Sequence, residues 1–288
     1  MTMRVGTRGS ALALTQAGTV ASALGGELVT ITTTGDRDRG ALDKERWVRE
    51  LDGALLDGDI DIAVHSAKDV PAELPDGIVI VATPPRASAF DALCGAASLD
   101  ALAPGARVGT SSLRRTAQLR ALRDDLDVLE LRGNVDTRMQ RLADGDYEAI
   151  VLARAGLDRL GRGAEATATL DALVPCGGQG VLAITARTGD AAAFAATRAL
   201  DDGPTSICLR AERALVRALE ADCHTPVGAH AVLDGGALRL RAFVGRADGS
   251  AWLSDTLARS DGAADPDGLG AEVAARLRAA GADEVLGR

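Results

Sequence analysis

Aromatic residues are scarce in this chain: Trp, Tyr and Phe together make up 2% of its 288 residues. Cores must therefore be built from Val, Leu, Ile and Ala, and a stacking platform for single-stranded nucleic acid is disfavoured for want of rings. Lysine is almost missing as well. Lys44 and Lys68 stand alone, so positive charge is nearly all arginine, whose planar fork grips carboxylate or phosphate bidentately where lysine cannot. The balance of charge is negative, with a net charge of -9, and the whole-molecule field disfavours a nucleic-acid partner. The four cysteines, Cys94, Cys176, Cys208 and Cys223, include no C-x-x-C pair, and His65, His224 and His230 form no metal motif. Neither a metal site nor a disulfide framework is expected. No stretch approaches the apolar length of a membrane span, and Met1-Thr2-Met3-Arg4-Val5-Gly6 opens no signal-like run. These absences point to a cytoplasmic, reducing setting.

What is present is ordinary globular material, 47% apolar and 25% charged, long enough for two or three domains. Residues 28–34, 60–64, 77–83, 108, 128–131 and 149–152 read as strands, separated by helical stretches such as 47–56. That rhythm predicts a mainly parallel α/β sheet, in which ligands bind beyond the carboxyl ends of strands. Pro84-Pro85-Arg86 and Pro204 mark plausible boundaries. Beyond them the pattern changes to an amphipathic helix over 205–220, strand-like runs at 230–233, 238–244 and 251–257, and an Ala-rich helix from about 269, a small α+β domain. No internal repeat is visible.

Five segments carry candidate chemistry. Gly6-Thr7-Arg8-Gly9-Ser10 leads from a strand into a helix start, a place for an anion beside Arg8 or simply a helix capped by Ser10. Gly109-Thr110-Ser111-Ser112-Leu113-Arg114-Arg115 repeats that device. Paired arginines at a helix N-terminus oppose the dipole unless an anion lies among them; the plainer alternative is a solvated pair. Leu131-Arg132-Gly133-Asn134 and Arg138 continue an arginine-rich stretch, where surface ion pairing with Asp124, Asp125 and Asp127 is the competing reading. His65-Ser66-Ala67-Lys68-Asp69-Val70-Pro71 follows a strand and offers a carboxylate for acid–base work, or a polar turn stopped by Pro71. Position separates the thiols: Cys208 falls on a helical apolar stripe, Cys94 in a buried strand, Cys176 in a Pro/Gly turn. Cys223, in the loop after a helix between Asp222 and His224, is the candidate for a reactive or modified thiol.

Taken together, in order and over nearly the full length, these segments and Gly178-Gln179-Gly180 resemble the porphobilinogen deaminase (hydroxymethylbilane synthase) family. The resemblance implies two periplasmic-binding-protein-like α/β domains flanking a cleft, plus a small C-terminal α+β domain. The divisions it implies are 1–85 with 181–200, 86–180, and 201–288. It implies a transferase of tetrapyrrole and haem biosynthesis that joins four porphobilinogens head to tail, losing ammonia each time, on a dipyrromethane cofactor bound covalently to Cys223. Water then releases hydroxymethylbilane. By position Asp69 is the catalytic carboxylate. Lys68, Ser10, Thr110, Ser112, Arg114, Arg115, Asn134 and Gln179 fall on the cofactor side, and Arg8, Arg132 and Arg138 on the substrate's acetates and propionates. A monomer is implied, with porphobilinogen as its small-molecule partner and no nucleic acid or membrane.

The chain departs from the family pattern at places. Residues 35–47, where a lid is usual, are shorter and lack a glycine-rich stretch. The arginine usual past Gly161 is not found in place, with Ala164 or Glu165 falling there, so that one carboxylate contact is either missing or supplied by Arg162. Ala221-Asp222 replaces a glycine pair before Cys223. Two alternatives stand beside the enzyme reading. One is a non-catalytic cytosolic protein of the same two-domain fold that binds an anion. The other is phosphoryl transfer, weakened because no G-x-x-x-x-G-K-[ST] occurs.

Overall fold

The computed structural model describes residues 2–31, 45–222 and 224–288. In chain order the elements are β1 (Arg4–Arg8), α1 (Ala11–Leu24), β2 (Glu27–Ile31), α2 (Glu45–Leu56), β3 (Ile62–Ser66), β4 (Ile78–Ala82), β5 (Asp91–Cys94), β6 (Arg107–Thr110) and α3 (Leu113–Leu122). Then follow β7 (Asp127–Glu130), α4 (Val135–Ala143), β8 (Ala149–Ala153), α5 (Arg154–Arg159), β9 (Ala168–Leu170), β10 (Leu182–Arg187) and α6 (Ala191–Thr197). The last are α7 (Gly203–Ala218), β11 (Val227–Asp234), β12 (Ala237–Gly245), β13 (Trp252–Arg259), α8 (Pro266–Ala279) and α9 (Ala282–Leu286).

Contacts divide the chain into two compact units, 1–87 with 180–206, and 88–179 with 207–288. The first holds a five-stranded sheet in the order β2-β1-β3-β10-β4. Its β1, β2 and β3 run parallel, and β10 lies antiparallel between β3 and β4. The second unit holds a sheet of the same plan, β7-β6-β8-β5-β9, with β5 as the antiparallel member between β8 and β9. The mainly parallel expectation therefore holds with one reversed strand per sheet.

The two sheets also repeat in residue detail, which corrects the expectation of no internal repeat. Arg4-Val5-Gly6-Thr7 in β1 and Arg107-Val108-Gly109-Thr110 in β6 occupy the same place in their sheets. Arg4 takes Asp61, just before β3, through its backbone N–H (2.7 Å) and its guanidinium (2.7 Å). Arg107 takes Glu148, just before β8, in the same double fashion at 2.7 and 2.5 Å. Both glycines are close-approach positions: a Cβ on Gly6 would lie 2.2 Å from Ile60, and one on Gly109 2.9 Å from Leu131 and Tyr147. Each strand then feeds a helix through a serine N-cap, Ser10 for α1 and Ser112 for α3.

The second unit also contains the antiparallel meander β11-β12-β13. Gly235 and Gly236, both at positive φ, make its first turn in the sequence Asp234-Gly235-Gly236. Leu215, Leu219, Leu240, Val244, Leu269 and Val273 form one core there beneath α7 and α8. Helix α8 begins earlier than its apolar stripe suggests. Asp265 caps it through the Gly268 N–H, and Pro266 supplies a preset φ at the first helical position.

Candidate active site

In the first unit the candidates gather at the carboxyl edge of the sheet. Strand β3 runs into a 3-10 turn, Ala67–Asp69, tied down by the Ala67 N–H to the Val181 carbonyl at 3.0 Å. Pro71 stops further helix. Lys68 and Asp69 are thereby half-buried at the strand's end. Arg8 stands at the same end of β1, which pairs parallel with β3. His65 marks how close these groups are. Burial pushes its imidazole down to about 4, the Asp69 charge opposes that, and Arg8 adds to it. Its Nε2 lies 3.1 Å from the Thr185 hydroxyl on β10. Ser10 accepts the Ala13 N–H as the α1 cap. Gln16 on α1 donates to the Ser66 hydroxyl at 2.9 Å, fixing the helix against the start of the turn.

In the second unit Ser112 caps α3, and Thr110, itself buried, accepts the Ser112 N–H. Asn134 caps α4 through Thr137 N–H at 2.9 Å, and Arg132 pairs with Glu130 on the surface at 2.7 Å. The arginine pair differs from the expectation of open forks. Arg114 and Arg115 are 4% and 5% exposed and converge on Asp91, which is fully buried at the head of β5. Arg114 Nη2 meets one carboxylate oxygen at 2.8 Å, while Arg115 Nε and Nη2 meet the other at 3.0 and 2.8 Å. Gln179, also expected on the ligand, joins them: its amide donates to Asp91 at 2.8 Å and to the Ala89 carbonyl at 2.7 Å. The physical reason is charge compensation. A carboxylate without solvent requires cationic partners. Burial would raise the Asp91 carboxyl, but Arg114 and Arg115 hold it far below the usual carboxylate range. Asp91 was missed in the sequence, where it is a lone acid heading an apolar strand.

Arg138 is placed differently. It donates to the Gly133 carbonyl at 2.7 Å and the Ser111 hydroxyl at 3.0 Å, both neutral. Burial, and then the nearby Arg115 charge, lower it to about 10. A half-buried cation on neutral acceptors beside a second cation is a seat for an anion. Arg162 is engaged elsewhere, with Glu165 at 2.6 Å and Asp136 at 2.5 Å.

Among the thiols, Cys94 is buried and pushed up to about 11 by that burial, Cys208 is in the α7 core, and Cys176 is half-buried. The cofactor assignment falls on Cys223, which lies outside the described residues, as do residues 35–44 of the lid segment. The backbone beside Cys223 is held by Asp222, whose carboxylate accepts the His224 N–H (2.9 Å) and the Thr225 hydroxyl (2.6 Å). Among the described residues no cluster of His, Cys, Asp and Glu is arranged to hold a metal. The donor set suits a polycarboxylate: Arg114 and Arg115 share the single acid Asp91, and Arg138 near Arg115 donates to neutral oxygens.

Comparison with known proteins agrees. Residues 3–195 match the family described as porphobilinogen deaminase, dipyromethane cofactor binding domain, and residues 206–279 match the porphobilinogen deaminase C-terminal domain. The chain is 46% identical to the porphobilinogen deaminase of Rubrobacter xylanophilus, covering 98% of this chain and 96% of that one. It is 47% identical to that of Xanthomonas oryzae pv. oryzae, covering 99% and 98%. Among solved structures, the methionine binding protein MetQ is 18% identical with a TM-score of 0.43 over 67% of this chain and 87% of that chain, a likeness too slight to bear on function. The chain belongs to the porphobilinogen deaminase family.

Proposed function

We propose that this chain joins four porphobilinogen molecules head to tail, with loss of ammonia at each addition, and releases hydroxymethylbilane by hydrolysis, a transferase step of tetrapyrrole biosynthesis. When bound through Cys223, the dipyrromethane cofactor supplies the pyrrole end on which the chain grows. The protein supplies charge and position. Every pyrrole carries an acetate and a propionate, so the growing product is a polyanion that needs fixed arginines. Arg138 is the observation that carries this reading, because its partners are neutral and its charge is already crowded by Arg115.

Arg8 and Arg132 join Arg138 on the substrate carboxylates. Lys68, Ser10, Thr110, Ser112 and Asn134 serve the cofactor side. Arg114, Arg115 and Gln179 act there by fixing α3 through Asp91. Asp69 faces the positive charge that develops as ammonia leaves the aminomethyl carbon, and its carboxylate oxygen holds the proton that moves. We place the cysteine on a third domain formed by the β11–β13 sheet and its helices, in a monomeric cytoplasmic protein. Among the described residues no helix is long and apolar enough to cross a membrane. The alternative, anion binding without chemistry, has no use for a carboxylate at Asp69 or a thiol at Cys223.

The test is the intact mass of the denatured protein, with peptide mapping. An added mass of two pyrrole units on the Cys223 peptide is expected, kept in Cys208→Ser and lost in Cys223→Ser. A protein that gains neither adduct nor product on incubation with porphobilinogen overturns the reading in favour of anion binding.

A further inference from the structure

Helix α7 ends in an unusual way, just before the loop that carries Cys223. The Glu220 N–H bonds to the Arg217 carbonyl (2.9 Å) and the Ala221 N–H to the Val216 carbonyl (3.0 Å). This is the paired closure in which the residue after the helix turns left-handed, a place normally given to glycine. Here the residue is Glu220, at φ 47, the one non-glycine positive φ among the described residues. A side chain resists that conformation, so something must hold it.

Two arginines from far along the chain do so. Arg288 Nη1 donates to the Leu219 carbonyl and Nη2 to the Glu220 carbonyl, both at 2.8 Å. Arg278, on α8, reaches the Glu220 carboxylate at 3.3 Å. A guanidinium fork across successive carbonyls answers the acceptors a helix end leaves unpaired, and it puts positive charge at the negative end of the dipole. Arg288 is itself fixed, since its N–H bonds to the Asp283 carbonyl at 2.8 Å. Val285 and Leu286 of α9 pack against the core beneath the meander. On the far side of the loop, the Asp222 turn holds the backbone of His224 and the side chain of Thr225. The described chain is therefore anchored before this loop by Arg288 at Leu219 and Glu220, and within it by the Asp222 turn.

We propose that Arg288 is a positioning residue for the cofactor-bearing loop: its grip on the Leu219 and Glu220 carbonyls sets where the Cys223 sulfur is presented for thioether formation. The proposal rests on the assignment of Cys223 made above. In the bond-forming step the sulfur joins the aminomethyl carbon of a porphobilinogen whose amine is protonated, the carbon–nitrogen bond breaks, and the departing ammonia takes the thiol proton to leave as ammonium.

The experiment follows the full chain, produced without porphobilinogen, as it gains two pyrrole units on incubation with porphobilinogen. Wild type, Arg288→Ala and Arg288→Lys are compared by intact mass against time, with the urea midpoint of each measured beside it. Arg288→Ala is expected to slow the gain by about tenfold or more, as misplacement of a reacting group does, with its midpoint close to wild type. Arg288→Lys is expected to recover part of the rate, because one ammonium reaches one carbonyl. The rate at which iodoacetamide alkylates Cys223, relative to Cys176, is expected to shift in the alanine variant as well. An alanine variant that gains adduct at the wild-type rate overturns the proposal. So does one whose loss merely follows its loss of folded protein. A wild-type chain that gains no adduct at Cys223 instead overturns the cysteine assignment, and the proposal with it.

Discussion

Arg115 grips Asp91 through two nitrogens of one guanidinium, Nε at 3.0 Å and Nη2 at 2.8 Å from the same carboxylate oxygen, with both residues buried. Arg114 and Gln179 complete the shell around that carboxylate. Asp91→Ala leaves two buried cations without their counter-charge, and removal of one partner from such a group costs about 3–5 kcal/mol. Urea unfolding should show a loss of that size. A loss below about 1 kcal/mol, the level of an exposed pair, would mean that water reaches the arginines.

Arg138 offers the complementary case, a cation whose bonds among the described residues go to neutral oxygens. Its removal leaves no charged partner stranded, so folding should change little while recognition of the substrate carboxylates suffers. A charge-assisted hydrogen bond contributes about 1.5–3 kcal/mol, which corresponds to roughly 10–100-fold in binding or elongation. Arg138→Met should raise KM for porphobilinogen, or stall the protein with partly extended chains visible by native mass measurement. Unchanged kinetics and no stalled species would place Arg138 outside the substrate path.

The element rhythm was legible because it is local. Apolar runs around 60–64, 77–83 and 149–152 mark strands, and the structure has β3, β4 and β8 there. Pairing is another matter. Strand β10 joins β3 through Ile184 and Val64, far apart in the chain, and no periodicity reports such a partner. The twin strands β1 and β6 share four identical residues, too few to register as a repeat until Asp61 and Glu148 are seen answering Arg4 and Arg107 alike.

The site shows the same division. Ser10 and Ser112 were recognisable because a helix start is a short-range signal, and each does cap its helix, whereas the cap made by Asn134 lay unread in an arginine-rich stretch. Arg114 and Arg115 stood out as a charged pair at a helix N-terminus. Their partner was hidden because Asp91 precedes them by more than twenty residues, inside an otherwise apolar strand. Burial, which decides between an open fork and a structural one, is a property of the assembled sheet.

Asp69 is half-buried at the end of β3, close enough for its charge to act on His65. Asp69→Asn keeps the shape and removes the charge. A carboxylate that moves a proton and faces a developing cation contributes roughly 10²–10⁴-fold to rate, so turnover should fall by that order. The cofactor mass should stay on the Cys223 peptide and the unfolding midpoint should stay near wild type. A variant that retains more than about a tenth of the rate lacks the loss expected of a catalytic acid or base, and Asp69 would then have another role.

Two buried titratable groups in the first unit oppose each other with pH. His65 is held down at about 4 by burial, so the stability it contributes is fully present above its ordinary value of 6.5 and is lost as pH falls through the folded value. Asp52, on α2, is 6% exposed, its Oδ1 has no hydrogen-bond partner among the described residues, and burial pushes it up to about 6. Its ionised form is destabilising at neutral pH, and that penalty is relieved as pH falls through the same window. Each shift corresponds to about 3 kcal/mol, with opposite sign. From these two groups the wild-type stability should therefore vary little between pH about 4 and about 6. Asp52→Asn removes one side of the balance. The variant should be more stable than wild type at neutral pH by up to about 3 kcal/mol, and its stability should fall steeply on acidification as His65 takes up its proton. Urea unfolding of both proteins across this range reads the slopes directly. If the variant is no more stable than wild type at neutral pH, Asp52 carries no burial penalty, and a variant whose stability stays flat on acidification would remove His65 as the opposing group.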